Sequence, residues 1–155
     1  MPVYTKRPEA ESYGQAVGIL LLEQRSPFIP GDVANATSYA YPVIYKTVDG
    51  LVGETCLNGA PEFNDHVAAA ARELAAQGVR GISSDCGFMI QFQEAVAEAV
   101  EVPVCMSSLL QLPFIARTLA PTQSIGVITA DSTRLSLRFL EESGDQVAGL
   151  YLVAF

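Results

Sequence analysis

Apolar positions in this chain come as short unbroken runs, with helical repeats between them. Residues 16–22 form one run, too apolar to alternate, and read as a buried strand. Residues 43–48 read as a second strand, with Pro42 suited to its first position. Between them lies a long loop from 23 to 37 that contains Pro27, Pro30 and Gly31. Residues 63–77 are Ala-rich, carry Val67 and Leu74 at helical spacing, and stop at Gly78, which predicts a helix with a glycine C-cap. Strands follow at 79–84, 102–106, 124–129 and 147–155. The helices between them are expected at 88–100, 109–119 and 133–142. Ser108 with Gln111 reads as a capping box for the second of these, and Asp131 or Ser132 as the cap of the third.

Strand and helix in regular alternation imply parallel strands joined by crossover helices. The expected fold is α/β: an open, doubly wound parallel sheet with helices on both faces. Residues 1–15 read as an N-terminal extension, and 16–155 as a single α/β region. In sheets of this kind ligands bind outside the C-terminal ends of the strands. Those ends fall at 23–35, 84–87, 106–108 and 129–132, which brings Cys86, Ser107 and Asp131 to one edge. The loop 27–35, ending at Asn35, reads either as a substrate lid over that edge or as a Pro-pinned surface turn.

The most informative point on that edge is the turn Ser83-Ser84-Asp85-Cys86-Gly87-Phe88. It puts a thiol where a strand ends and a helix begins. Unpaired backbone N–H groups and the positive end of a helix dipole gather there, favouring thiolate over thiol and attracting carboxylates. The alternative for Cys86 is a small buried hydrophobe. Cys105, inside an apolar run, reads as core. Cys56, in the Gly-containing segment 53–61, reads as an exposed or half-buried thiol without a role, and His66 as a solvated first-turn residue. Ser107 and Ser108 read equally as helix caps and as anion ligands. Phe88, Met89 and Phe92 have core spacing, and Asp85 is a carboxylate whose direction decides whether it opposes a thiolate at Cys86.

Composition narrows the function classes. Of 155 residues, 50% are hydrophobic and 17% charged, a balance that excludes a disordered chain. Nine Lys and Arg against 17 Asp and Glu leave a net charge of -8, which argues against a nucleic-acid footprint or an anionic-membrane anchor. Residues 1–14 have no signal-peptide core and the longest apolar run is too short to span a bilayer, so the expected compartment is the cytoplasm. Three cysteines fit neither a disulfide framework nor a zinc pattern, and a single histidine excludes a multi-His metal centre. The Gly78-Val79-Arg80-Gly81 segment precedes a strand, so it fails the test for a dinucleotide loop.

The Cys86 turn resembles that of the aspartate/glutamate racemase superfamily, which includes hydantoin racemases, arylmalonate decarboxylases and maleate isomerases. The run Val102-Pro103-Val104 leading to Ser107-Ser108, and Ile125-Gly126-Val127-Ile128-Thr129-Ala130, add to the resemblance, which extends from about Val17 onward. The resemblance implies a racemase-like domain, the first of a pseudo-symmetric pair plus the start of the second, with one cysteine from each half facing a shared cleft. Cys86 matches the first of these cysteines. The second has no counterpart here, and the expectation is that the second half is incomplete. The implied activity is cofactor-independent racemisation or isomerisation of a small carboxylate, by proton transfer at the carbon next to the carboxylate. Cys86 is the expected base, and Ser84, Gly87, Phe88, Ser107, Ser108 and Asn35 the expected substrate contacts. No metal or other cofactor is expected, and a homodimer is. The alternative is a non-catalytic carboxylate-binding or assembly module of the same fold.

Overall fold

The computed structural model describes residues 3–120, 122–135 and 150–154. Its first sheet contains β1 (Val17–Leu21), β2 (Val43–Thr47), β3 (Ile82–Ser84) and β4 (Val104–Cys105), in the order β2-β1-β3-β4 with every pair parallel. Among the described residues four α-helices accompany it: α1 (Gly53–Asn58), α2 (Asn64–Ala76), α3 (Gln93–Ala99) and α4 (Leu112–Thr118). The expected open parallel α/β architecture is present. Two expected helices differ in kind: each opens as a 3-10 helix, Gly87–Phe92 before α3 and Ser108–Gln111 before α4.

Among the described residues the first sheet has four strands. β5 (Ile125–Thr129) and β6 (Leu150–Ala154) pair in parallel as a separate two-stranded sheet, where the alternation of elements suggests one continuous sheet. The cause lies at the outer edge of β4. The Gln93 side chain donates to Val104 O at 3.1 Å and accepts from Met106 N at 2.9 Å. These are the backbone groups an adjoining strand would use, so a side-chain amide ends the ladder. Ile125, Val127 and Leu135 still join the hydrophobic cluster built on the first sheet, with Leu20, Leu74, Phe92 and Met106. The expected helix over 133–142 falls mostly outside the described residues.

α2 packs on β1 and β2. Gly18 permits this approach, since a Cβ there would sit 3.0 Å from the Leu74 side chain. The segment before β1 is docked rather than trailing. Ser12 Oγ donates to Gln77 O at 2.7 Å, Glu11 N donates to Ala76 O at 2.8 Å, and the Arg7 guanidinium donates to the carbonyls of Gly78 and Val79. A cation and donors thus cover carbonyls left open at the end of α2. Gly78 has φ +80°, and a Cβ there would collide with Ser12 O, so the turn requires glycine.

Replacing Gln93 with Met keeps the volume but orphans two backbone groups at a half-buried edge. Urea denaturation is expected to show a loss of about 1–3 kcal/mol. An unchanged midpoint would mean that water serves this edge equally well.

Candidate active site

The strand order places a switch point between β1 and β3: the chain leaves β1 towards β2 on one side and β3 towards β4 on the other. Crevices at such points, outside the C-terminal strand ends, are where open parallel sheets bind ligands. Asp85 and Cys86 follow β3 directly at this position. Asp85 N donates to Leu20 O at 3.0 Å, and its carboxylate accepts from Leu22 N at 3.2 and 3.3 Å, which pins the turn to the end of β1. Cys86 is extended (φ -130°, ψ 127°) and caps the 3-10 helix Gly87–Phe92.

A cavity of about 340 Å³ opens beside this turn. Asp85, Cys86, Gly87 and Phe88 form one wall, Ser108 and Leu109 a second, and Val127, Ile128, Thr129, Ala130 and Leu135 a third. The third wall comes from the end of β5 and the residues after it, so the separate two-stranded sheet closes the cavity over the strand ends of the first.

The electrostatics differ sharply among three adjacent groups. The Cys86 thiol is held below its ordinary value, first by a hydrogen bond from the Cys56 thiol and further by the backbone amides of Phe88 and Met89. Burial and the neighbouring Asp85 act against this. Cys56 is pushed up, first by that same hydrogen bond and then by burial. Of the two sulfurs, Cys86 has the amides and the cavity, and Cys56 is sealed at 0% exposure. Burial raises Asp85 to about 6 despite its hydrogen bond from Leu22 N.

Several expected contacts are engaged inside the protein. The Ser84 hydroxyl is buried and donates to Met106 O and to Cys86 O, tying β3 to the end of β4. Ser107 Oγ accepts from Leu109 N at 3.2 Å and is the cap of its helix, so a simple cap at Ser107 stands in place of the capping box expected from Ser108 and Gln111. Ser108 is thereby left free to line the cavity. Asn35 caps the 3-10 helix Ala36–Ser38 and donates to Phe28 O, holding the 27–35 loop together. Asp131 accepts from Thr133 N at 2.9 Å, and the helix it is expected to cap falls mostly outside the described residues. His66 is exposed, its ring 5.5 Å from that of Phe63. Among the described residues no group of three His, Cys, Asp or Glu is placed to hold a metal ion, and no helix is long and apolar enough to cross a membrane.

Two cysteines depart from expectation. Cys105 is exposed because β4 is an edge strand in which Val104, the alternate residue, turns towards the core. Cys56 lies on α1 rather than in a loop and is fully buried against the site. Its signal in the sequence was weak: the helix is only six residues long, ends at Gly59 and has no side-chain cap.

No protein-family model matches the chain. It is similar to dimethylsulfoniopropionate lyase 7 of Emiliania huxleyi, with 36% identity over 122 residues covering 77% of this chain and 36% of that protein. It is also similar to the dimethylsulfoniopropionate lyase of Durusdinium sp. clade D, with 36% identity over 123 residues covering 77% of this chain and 41% of that one. The chain thus spans between a third and about two fifths of the length of these curated relatives. Among solved structures, unliganded arylmalonate decarboxylase aligns with a TM-score of 0.49 and 19% identity, covering 90% of this chain and 62% of that one.

The Asp85 carboxyl, at about 6 in the folded protein against an ordinary 3.8, gives a pH dependence of known sign. Its raised value favours the folded state fully below about pH 3.8, and the advantage is lost as pH rises through about 6. Asp85→Asn keeps an acceptor for Leu22 N and abolishes the titration. The stability of the wild type relative to this variant is therefore expected to fall between pH 4 and 6 and to level off above 7, as read by urea denaturation. A difference independent of pH would show that Asp85 is solvated in the native state.

Proposed function

We propose that this chain carries the base of a cofactor-independent enzyme acting on small carboxylates, with the Cys86 thiolate removing the proton from the carbon next to the carboxylate. The observation that carries this reading is the sulfur itself: biased towards thiolate by the Cys56 thiol and by backbone amides, and bordering a cavity sized for a small molecule. The racemase-like character of the Cys86 turn supports the same reading.

Proton removal beside a carboxylate is slow because charge accumulates on the carboxylate oxygens, and nearby neutral donors lower that barrier. Ser108 and the backbone at Gly87 and Phe88 bound the space where the carboxylate would lie. Ser84, Ser107 and Asn35 serve by holding the three loops that shape this edge. A base of lowered pKa is the second requirement, and the hydrogen bonds to Cys86 act in that direction.

After deprotonation, the substrate decides the product. If the proton returns to the opposite face, the result is racemisation, which requires an acid on that face. Neither Cys56, sealed behind Cys86, nor the exposed Cys105 is placed as such a partner. If the next carbon carries a leaving group, the same electron pair expels it and no second acid is needed. The names of the relatives favour this outcome. In dimethylsulfoniopropionate, the thiolate would take the proton from C2, the C2–C3 double bond would form, and the C3–S bond would break. Dimethyl sulfide leaves with that bond's electron pair, acrylate remains, and Cys86 holds the proton until water removes it. The lyase and racemase readings thus share their first step and differ in the fate of the carbanion.

Dimethyl sulfide release and acrylate formation from dimethylsulfoniopropionate are the direct test. Cys86→Ala and Cys86→Ser are expected to slow both by about 10²–10⁴-fold. Turnover at the wild-type rate in both variants would eliminate the thiol as base. Calorimetric binding of the carboxylate without any turnover would instead mark a binding module.

A further inference from the structure

We propose that Arg134 is a positioning residue that latches the third wall of the Cys86 cavity onto α1, so that an ion-pair network at the surface holds the cavity closed and salt loosens it. The inference concerns access to the cavity and goes beyond the chemistry proposed for Cys86.

One guanidinium is held from two sides. On its own segment, Arg134 Nε lies 3.2 Å from Asp131 Oδ2. The other oxygen of that carboxylate, Oδ1, accepts from Thr133 N at 2.9 Å and from Thr133 Oγ1 at 2.6 Å, which fixes its direction. Across the junction, Arg134 Nη1 donates to Glu54 Oε1 at 2.7 Å and to Asn58 Oδ1 at 3.2 Å, both on α1 and 80 and 76 residues away in sequence. Asn58 Nδ2 donates to Glu54 Oε1 at 3.3 Å, so the two acceptors hold each other. α1 is in turn fixed to the 3-10 helix that follows Cys86: Gln91 Oε1 accepts from Ala60 N at 2.6 Å, and Gln91 Nε2 donates to Cys56 O at 3.0 Å. The latch therefore joins the third wall of the cavity, by way of α1, to the wall that carries the thiol.

The neighbouring residue works on the inside. Leu135 is buried, lines the cavity and belongs to the hydrophobic cluster, and its N–H donates to Asp131 O at 3.2 Å. The cation outside and the leucine inside thus sit on one turn, and a turn released at Arg134 releases Leu135 with it. Among the described residues the two sheets share no strand ladder, so side chains seat this wall. Charge adds to the argument. Glu54 and Asp131 are both carboxylates near this junction, close enough for Asp131 to raise Glu54. With Arg134 present both are paired and both are held below the usual carboxylate range, Glu54 first by its hydrogen bond from Arg134 and Asp131 first by the Thr133 hydroxyl. Without the cation, two like charges would oppose closure.

The test reads access to the cavity. Alkylation of Cys86 by iodoacetamide, a neutral reagent, is followed by peptide mass spectrometry, and backbone amide exchange is followed over residues 125–135. Exposed pairs are weak, so Arg134→Met and Glu54→Gln are each expected to raise both rates by about two- to fivefold at low salt. In the wild type both rates are expected to climb between about 20 mM and about 500 mM NaCl, as screening shortens the reach of the pair. In Arg134→Met that climb is lost. Arg134→Lys keeps the charge without the fork and is expected to fall between wild type and Arg134→Met. Lys46→Met removes a comparable surface pair that does not border the cavity, Lys46 Nζ to Glu73 Oε2 at 2.6 Å, and is expected to change neither rate. Equal rates in wild type, Arg134→Met and Glu54→Gln overturn the inference, and so does an equal rise in Lys46→Met, which would mark general loosening. Loosened access in a protein that turns over no carboxylate sustains the inference and removes the proposed function. A working thiol behind a wall indifferent to Arg134 does the reverse.

Discussion

The outer edge of β4 is closed by the carboxamide of Gln93, and the shape of the site follows from that closure. With Val104 O and Met106 N occupied, these two ladder groups of the outer edge are not available to a fifth strand. The chain must then place its next strands elsewhere, and β5 and β6 pair with each other. Because Ile125, Val127 and Leu135 remain apolar, they are drawn into the existing core, and the end of β5 comes to rest over the C-terminal strand ends of the first sheet. A cavity is the consequence. Had the sheet continued flat, Val127 to Ala130 would lie along its edge and could not face Cys86.

The turn that carries the thiol is held from several directions. Asp85 ties it to β1, and Ser84 ties it to the end of β4. Gln91 ties the following 3-10 helix to α1. Side-chain hydrogen bonds to backbone thus replace the regular ladder where the strands run out, and each satisfies a group that would otherwise be buried unpaired. The rigidity matters for chemistry. A sulfur set among fixed amides keeps its donors in place without reorganisation.

Acidic character pervades this protein, with a net charge of -8, yet the site is proposed to hold an anionic sulfur and to receive an anionic substrate. Local donors resolve the apparent conflict. Asp85 is the nearest carboxylate, and burial raises it to about 6, so part of its charge is suppressed in mildly acidic solution. The charged pairs Arg134–Glu54 and Lys46–Glu73 lie at the surface, where solvent screens them. The interior of the site is governed by neutral dipoles, whose influence reaches only a few ångströms.

Much of the fold was legible in the amino-acid order alone. Apolar runs of strand length, a helix stopped at Gly78, and a Cys-Gly turn after a strand are local features. The hydrophobic period and turn chemistry that encode them act within a few residues. The position of Cys86 at a ligand edge followed from that alternation. Other features depended on partners distant in sequence. The backbone groups that Ser84, Ser107 and Asn35 bond lie on Met106, Leu109 and Phe28, and only the folded chain brings them together. That Cys56 meets Cys86 was decided by Gln91 and by the packing of a six-residue helix too short to announce itself. The division of strands into two sheets was decided by a glutamine whose side chain imitates a strand. Periodicity specifies which face of an element is buried, but hydrogen bonds between side chains and remote backbone exist only once the chain has closed on itself.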